Sequence, residues 1–142
     1  GYTVARRPLA AKLAILNDLI NVCAPAPLQH GVVAAFDLPE SYYVKMRADY
    51  QRKRDMTVEA CRAAGFSPFV PQGAYYTLAD VSKLPGKSSK EKAMALLSET
   101  GVAGVPGEAF YHSGEGKNLI RLCFAKTDED LEEACRRLER LA

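Results

Sequence analysis

Arg121 is the residue whose surroundings ask for a chemical explanation. It stands inside an otherwise apolar run, Leu119-Ile120-Arg121-Leu122-Cys123-Phe124-Ala125. Strand alternation places it on one face with Leu119, Cys123 and Ala125, a face expected to be at least partly buried. A buried guanidinium needs a partner. Its planar fork is also the group that grips a carboxylate through two hydrogen bonds. The residue pattern alone leaves two readings open: a carboxylate-binding arginine, or a strand arginine paired with a nearby acid.

Other chemistry is sparse. His30 and His112 are far apart and lack metal-ligand spacing. Ser41, Ser82 and Ser113 have no nucleophile-elbow context, and no glycine-rich phosphate loop occurs. Neighbouring carboxylates fall on solvated helix faces. Tyr75 and Tyr76 follow Gly73 in a strand and read first as core or surface aromatics. Pro106-Gly107 before Phe110-Tyr111 reads as a turn.

The elements that must position Arg121 follow from periodicity and punctuation. Thr3 to Ala5 is a short strand candidate. Leu9, Leu13, Leu16, Leu19 and Ile20 recur at helical spacing, predicting a helix over 8–22, and Pro25-Ala26-Pro27 ends it. A second helix, from Pro27 to about Phe36, is nearly apolar all round, the pattern of a helix buried between partners. A long helix is expected from Pro39 to Ala64. Its buried stripe would be Tyr43, Met46, Tyr50, Thr57, Cys61 and Ala64, with Gly65 as the stop.

Phe66 to Pro71 predicts an edge strand, because Pro68 cannot donate to a ladder. Ala74 to Val81 predicts a better strand. Ser88 with Glu91 forms a capping box that opens a helix closed by Gly101. Val102 to Val105 and Leu119 to Ala125 predict two more strands. Thr127 caps a last helix with Asp128, Glu129 and Asp130 in its first turn and Leu131, Ala134, Cys135, Leu138 and Leu141 as its buried stripe. Short strands covered by helices give an α/β, or α+β, layered sandwich.

Composition fits an ordinary globular chain. Of 142 residues, 48% are hydrophobic and 25% charged, with a net charge of +2. No basic block mixes with aromatics, so nucleic acid is not an expected partner. The most apolar early stretch is broken by Lys12, Asn17, Asp18, Asn21 and Pro25 and cannot span a bilayer. Cys23, Cys61, Cys123 and Cys135 form no C-x-x-C pair. Cys123 and Cys135 sit in apolar patterns and are expected to be buried, reduced thiols, which points to a cytoplasmic setting.

Five segments taken in order resemble one family. Gly104-Val105-Pro106-Gly107-Glu108-Ala109-Phe110, then Gly116 and Ile120-Arg121-Leu122-Cys123-Phe124-Ala125, resemble the end of class I/II aminotransferases, which are fold-type-I pyridoxal-phosphate enzymes. There a V-P-G-x-x-F turn precedes an I-R-L-x-F-A strand. Pro71-Gln72-Gly73-Ala74-Tyr75-Tyr76, with Asp80, resembles the P-x-G-x-[FY]-[FY] strand. Ala24-Pro25-Ala26-Pro27-Leu28-Gln29 resembles the loop before a large-domain helix, and Gly1-Tyr2 the pair that follows the phosphate-binding arginine. The flavour is that of the kynurenine, glutamine-phenylpyruvate and methionine aminotransferase branch.

The resemblance implies a C-terminal portion: residues 1–36 from the end of the large domain and the interdomain helices, and 37–142 as the small domain. It implies a parent enzyme, a cytoplasmic homodimer, that moves an amino group from an amino acid to a 2-oxo acid on pyridoxal 5'-phosphate. Arg121 falls on the position that binds the substrate α-carboxylate, and Tyr75 would line the substrate side. The Schiff-base lysine and the phosphate-binding arginine precede the G-Y pair in the family, and no lysine here lies in that motif. No catalytic, cofactor-binding or metal residue is therefore expected in this chain, which would be inactive by itself. A carbon–sulfur lyase of the same fold type, or a non-catalytic module that binds amino acids or a partner, would fit the same residues.

Overall fold

A computed structural model describes residues 2–141; Gly1, and with it half of the Gly1-Tyr2 pair, lies outside the described residues. The chain divides into two compact units, one reaching to Tyr42 and the other starting at Tyr43. In the first unit, α1 covers Arg7–Asn21 and α2 covers Ala26–Ala35. Each has a proline in its first turn, where no amide hydrogen is needed. Neither helix buries a residue; Leu19 and Ile20 of α1 and Leu28 and Val33 of α2 are all exposed. Thr3 to Ala5, expected as a strand, is irregular. An isolated strand has no ladder to satisfy its backbone, and among the described residues no sheet offers this segment a partner.

The second unit is built on a four-stranded antiparallel sheet in the order β1-β2-β4-β3, where β1 is Ser67–Phe69, β2 Tyr76–Asp80, β3 Val105–Pro106 and β4 Leu119–Cys123. β2 and β4 form its centre, with Tyr76 opposite Cys123 and Leu78 opposite Arg121. On the other side of β4, Val105 stands opposite Arg121. Both edge strands contain a proline, Pro68 in β1 and Pro106 in β3.

Alternation then divides the sheet by solvent. Thr77, Ala79, Ile120 and Leu122 are buried, while Tyr76, Leu78, Leu119 and Arg121 are half-buried and Cys123 is exposed. The buried face packs with three helices: α3 (Glu40–Ala63), α4 (Ser89–Thr100) and α5 (Asp128–Glu139). Cys61 from α3, Leu96 from α4, and Leu131, Cys135 and Leu138 from α5 meet Ile120, Leu122 and Phe124 in one core. Among the described residues of this unit, the sheet is thus covered by helices on one face only. The expectation that Cys123 is buried fails for this reason, since it shares the outward face with Arg121.

Helix ends follow the sequence signals. The Ser88 hydroxyl accepts from the Glu91 amide at 3.2 Å, but the Glu91 carboxylate takes the Lys87 amide instead of that of Ser88. Thr127 accepts from the Asp130 amide, and Gly65 and Gly101 turn left-handed at φ 77° and 73°. The long α3 helix differs from its expected stripe. Thr57 and Cys61 are buried there and Ala64 just beyond it, whereas Met46 and Tyr50 are exposed. Arg52 and Lys53 of α3 instead reach Asp128 at the start of α5, at 2.7 and 3.3 Å.

Candidate functional site

Arg121 sits in the middle of β4, flanked by the strands on either side, so its backbone is as fixed as any in the sheet. Its side chain rises from the uncovered face. The guanidinium carbon lies 5.2 Å from the centroid of the Tyr76 ring and 4.9 Å from that of Phe110. These are cation–π distances. Its Nε is buried, yet has no hydrogen-bond partner. Among the described residues no acid forms an ion pair with Arg121.

That geometry has a chemical meaning. The rings attract the cation through their π faces but accept nothing in the plane of the fork. A buried orphan donor costs about 1–3 kcal/mol, and more on a charged group. An anion with two oxygens in the guanidinium plane would gain charge-assisted hydrogen bonds from the terminal nitrogens, which are not enclosed as Nε is.

Phe110 comes from a 3₁₀ turn, Gly107–Phe110, that directly follows β3. Glu108 in the same turn accepts hydrogen bonds from the Ser89 amide and hydroxyl, each at 2.7 Å. The Ser89 hydroxyl, first, and its amide hold the Glu108 carboxyl below the usual carboxylate range.

Tyr75 lies beside this cluster. Its ring meets that of Tyr76 edge-on at 5.2 Å, and about half its surface is exposed. It also lines a separate hollow of about 490 Å³ with Met46, Tyr50 and Arg54 of α3 and the Pro71–Ala74 segment. Arg54 there donates to the Pro71 carbonyl and pairs with Asp55. Tyr76 and Phe110 therefore touch Arg121, and Tyr75 reaches it through Tyr76. The residue pattern alone assigns neither Tyr76 nor Phe110 to the site. Alternation with the correct β2–β4 register would have found Tyr76; only the fold brings in Phe110.

Among the described residues no group of three or more His, Cys, Asp or Glu side chains is placed to hold a metal ion. No described helix is long and apolar enough to cross a membrane.

The sequence profile of the family "Aminotransferase class I and II" matches residues 1–138. The chain belongs to that family. The chain is 29% identical over 141 residues to a methionine aminotransferase of Escherichia coli, an alignment covering 99% of the chain and 36% of that protein. It is 27% identical over 155 residues to a kynurenine–oxoglutarate transaminase of Dictyostelium discoideum, covering 94% of the chain and 36% of the relative. Among solved structures, the N-succinyldiaminopimelate aminotransferase of Mycobacterium tuberculosis superposes with a TM-score of 0.79 at 30% identity, over 95% of the chain and 35% of that protein. The chain thus spans a little over a third of the length of these relatives.

Proposed function

We propose that this chain is the C-terminal portion of an aminotransferase that moves an amino group from an amino acid to a 2-oxo acid, and that Arg121 grips the substrate α-carboxylate. The observation that carries this reading is the half-buried Arg121 on an uncovered sheet face, with two rings against its guanidinium and a buried Nε left without an acceptor. A carboxylate takes hydrogen bonds from the terminal nitrogens of this otherwise unpaired guanidinium. Held by a planar fork on a rigid strand, the substrate loses rotational freedom before reaction, which lowers the barrier through orientation. Tyr75 lines the substrate side next to Tyr76.

In this reading residues 1–36 belong to the end of the large domain and the interdomain helices, and 37–142 form the small domain, which closes over the substrate and excludes water. The large apolar residues of α1 and α2, all exposed, support it, since such a surface calls for cover. The whole enzyme would be a cytoplasmic homodimer.

Pyridoxal phosphate supplies the electron sink for such chemistry, but the residues described here do not fit a holder for it. Lys92, the one buried lysine among them, donates to the backbone carbonyls of Leu84 at 2.7 Å and Ser82 at 3.3 Å. Lys53 is committed to Asp128 and to the Lys126 carbonyl. The chain by itself is therefore proposed to be inactive, its contribution being the carboxylate clamp.

The test is Arg121→Lys in the enzyme that contains this chain. Charge is kept and the fork is lost, so about 1.5–3 kcal/mol of transition-state stabilisation should disappear. That is roughly a tenfold to hundredfold fall in kcat/KM for 2-oxo-acid-dependent amino transfer. Unchanged kinetics would overturn the assignment of Arg121. Pyruvate release without amino transfer would replace the transferase reading with a carbon–sulfur lyase.

A further inference from the structure

We infer that Glu108 and Ser89 form a latch that sets Phe110 against Arg121, which makes Glu108 a positioning residue for carboxylate recognition. The inference rests on the reading of Arg121 given above. Phe110 is 47% exposed, so burial in a core does not fix its ring. What fixes it is the backbone of the four-residue turn that carries it, and that turn is gripped at two points.

The first grip is a close backbone approach. A Cβ on Gly107 would fall 2.6 Å from both Cβ and the carbonyl oxygen of Leu119 and 2.7 Å from the Gly116 carbonyl oxygen. Only glycine lets the turn lie this close to the start of β4. The second grip is reciprocal. Oε2 of Glu108 accepts from the Ser89 amide and hydroxyl, both at 2.7 Å, while the Glu108 amide donates to the Ser89 hydroxyl oxygen at 3.1 Å. Ser89 is fully buried, so its hydroxyl has no water to turn to.

Three hydrogen bonds thus tie the turn to the first residue of α4, and α4 is itself anchored in the core by Ala93 and Leu96. A carboxylate is also favoured at the start of a helix by the unpaired amides there. The chain of support runs from the core through α4 and Ser89 to Glu108, then through the turn to Phe110 and the guanidinium. A guanidinium that leans on two placed rings samples fewer orientations, and its fork stays in the attitude a carboxylate requires.

The test uses the Arg121 Nε–H signal in proton–nitrogen spectra of this chain, observable because the buried Nε exchanges slowly with water. Nearby aromatic rings displace that signal. In Glu108→Ala it should move toward the position of an exposed arginine while the core signals of Leu96 and Ile120 stay in place. Glu108→Gln, which keeps an oxygen to accept from Ser89, should restore it. In the enzyme that contains this chain, Glu108→Ala should raise KM for the amino acid roughly tenfold and leave kcat within a few-fold, the pattern of a misplaced binding group.

Should Glu108→Ala unfold the chain, Glu108→Gln still tests the latch, and Phe110→Leu tests the ring contact it serves, because a half-exposed ring can be replaced without opening the core. An unmoved Arg121 signal in a folded Glu108→Ala or Phe110→Leu chain would overturn the latch, as would a Glu108→Gln chain that behaves like Glu108→Ala. Failure of the carboxylate reading is seen separately, as an Arg121→Lys enzyme with normal kinetics.

Discussion

Replacing Arg121 with methionine in this chain removes a charge from the middle of a central strand, yet it should change stability little. The structure sets the two opposing terms. Contact with Tyr76 and Phe110 at 5.2 and 4.9 Å is lost, at about 0.5–1 kcal/mol for each ring. Removal of the Nε–H, a buried donor with no acceptor, returns roughly 1–3 kcal/mol. Methionine keeps an unbranched apolar stem of similar reach, so packing on Leu78 and Val105 of the neighbouring strands need not collapse. The sum runs from about 1 kcal/mol destabilising to about 2 kcal/mol stabilising. Urea melts followed by circular dichroism would measure it, with the midpoint compared at constant slope. A structural ion-pair arginine behaves differently, because breaking a buried pair costs about 3–5 kcal/mol. A loss of that size on Arg121→Met would refute the account of Arg121 as a donor awaiting a ligand.

Thiol chemistry should split the four cysteines in two. Cys23 and Cys123 are exposed and should react promptly with a disulfide reagent in the native chain, whereas Cys61 and Cys135 are buried, Cys61 with its thiol pushed up to about 12 by burial, and should react only on unfolding. Prompt modification of all four in a folded sample would contradict the core described here. The Arg52 hydrogen bond, followed by that of Lys53, holds the Asp128 carboxyl below its ordinary value of 3.8. Its contribution is therefore complete above that pH and fades as pH falls through the lowered folded value. Asp128→Asn should therefore lower the neutral plateau slightly, the pair being exposed, and leave stability below the folded value unchanged, so that the acid limb of the stability–pH curve is less steep; an unaltered acid limb would count against the pair. Ser88→Ala and Thr127→Ala should each cost about 0.5–2 kcal/mol in thermal melts by removing the hydroxyls that cap α4 and α5. A shift in neither would mean those caps are replaced by water.

The helices were legible in the sequence because their signals are local. Pro8, Pro27, Ser88, Gly65, Gly101 and Thr127 mark ends through their own backbone chemistry, and the structure uses each of them. Strands were harder, since a strand exists only where a partner pairs with it. Thr3 to Ala5 has the composition of a strand and no ladder, while the span from Ala74 to Val81 shortens to the residues that β4 can pair. The outward position of Cys123 was implicit in the alternation that singled out Arg121. The error lay in expecting an apolar strand to be buried on both faces. Arg121 was found because its charge breaks a local pattern. Tyr76, Phe110 and the Glu108–Ser89 contact were not, because each depends on strand register or on a contact between elements distant in sequence.

The prolines in the two outer strands have a consequence for how this chain can meet others. A sheet grows by recruiting a further strand along a row of free amide hydrogens and carbonyls, the route by which exposed sheets polymerise. Pro68 breaks that row in β1, and Pro106 breaks it in β3, which is only two residues long. A newcomer at either margin would face a missing donor and a rigid ring. Fibril-like stacking through this sheet is thereby discouraged at both ends. Aggregation pressure, where it arises, falls on the bare apolar surfaces of α1 and α2, and solubilising changes belong there.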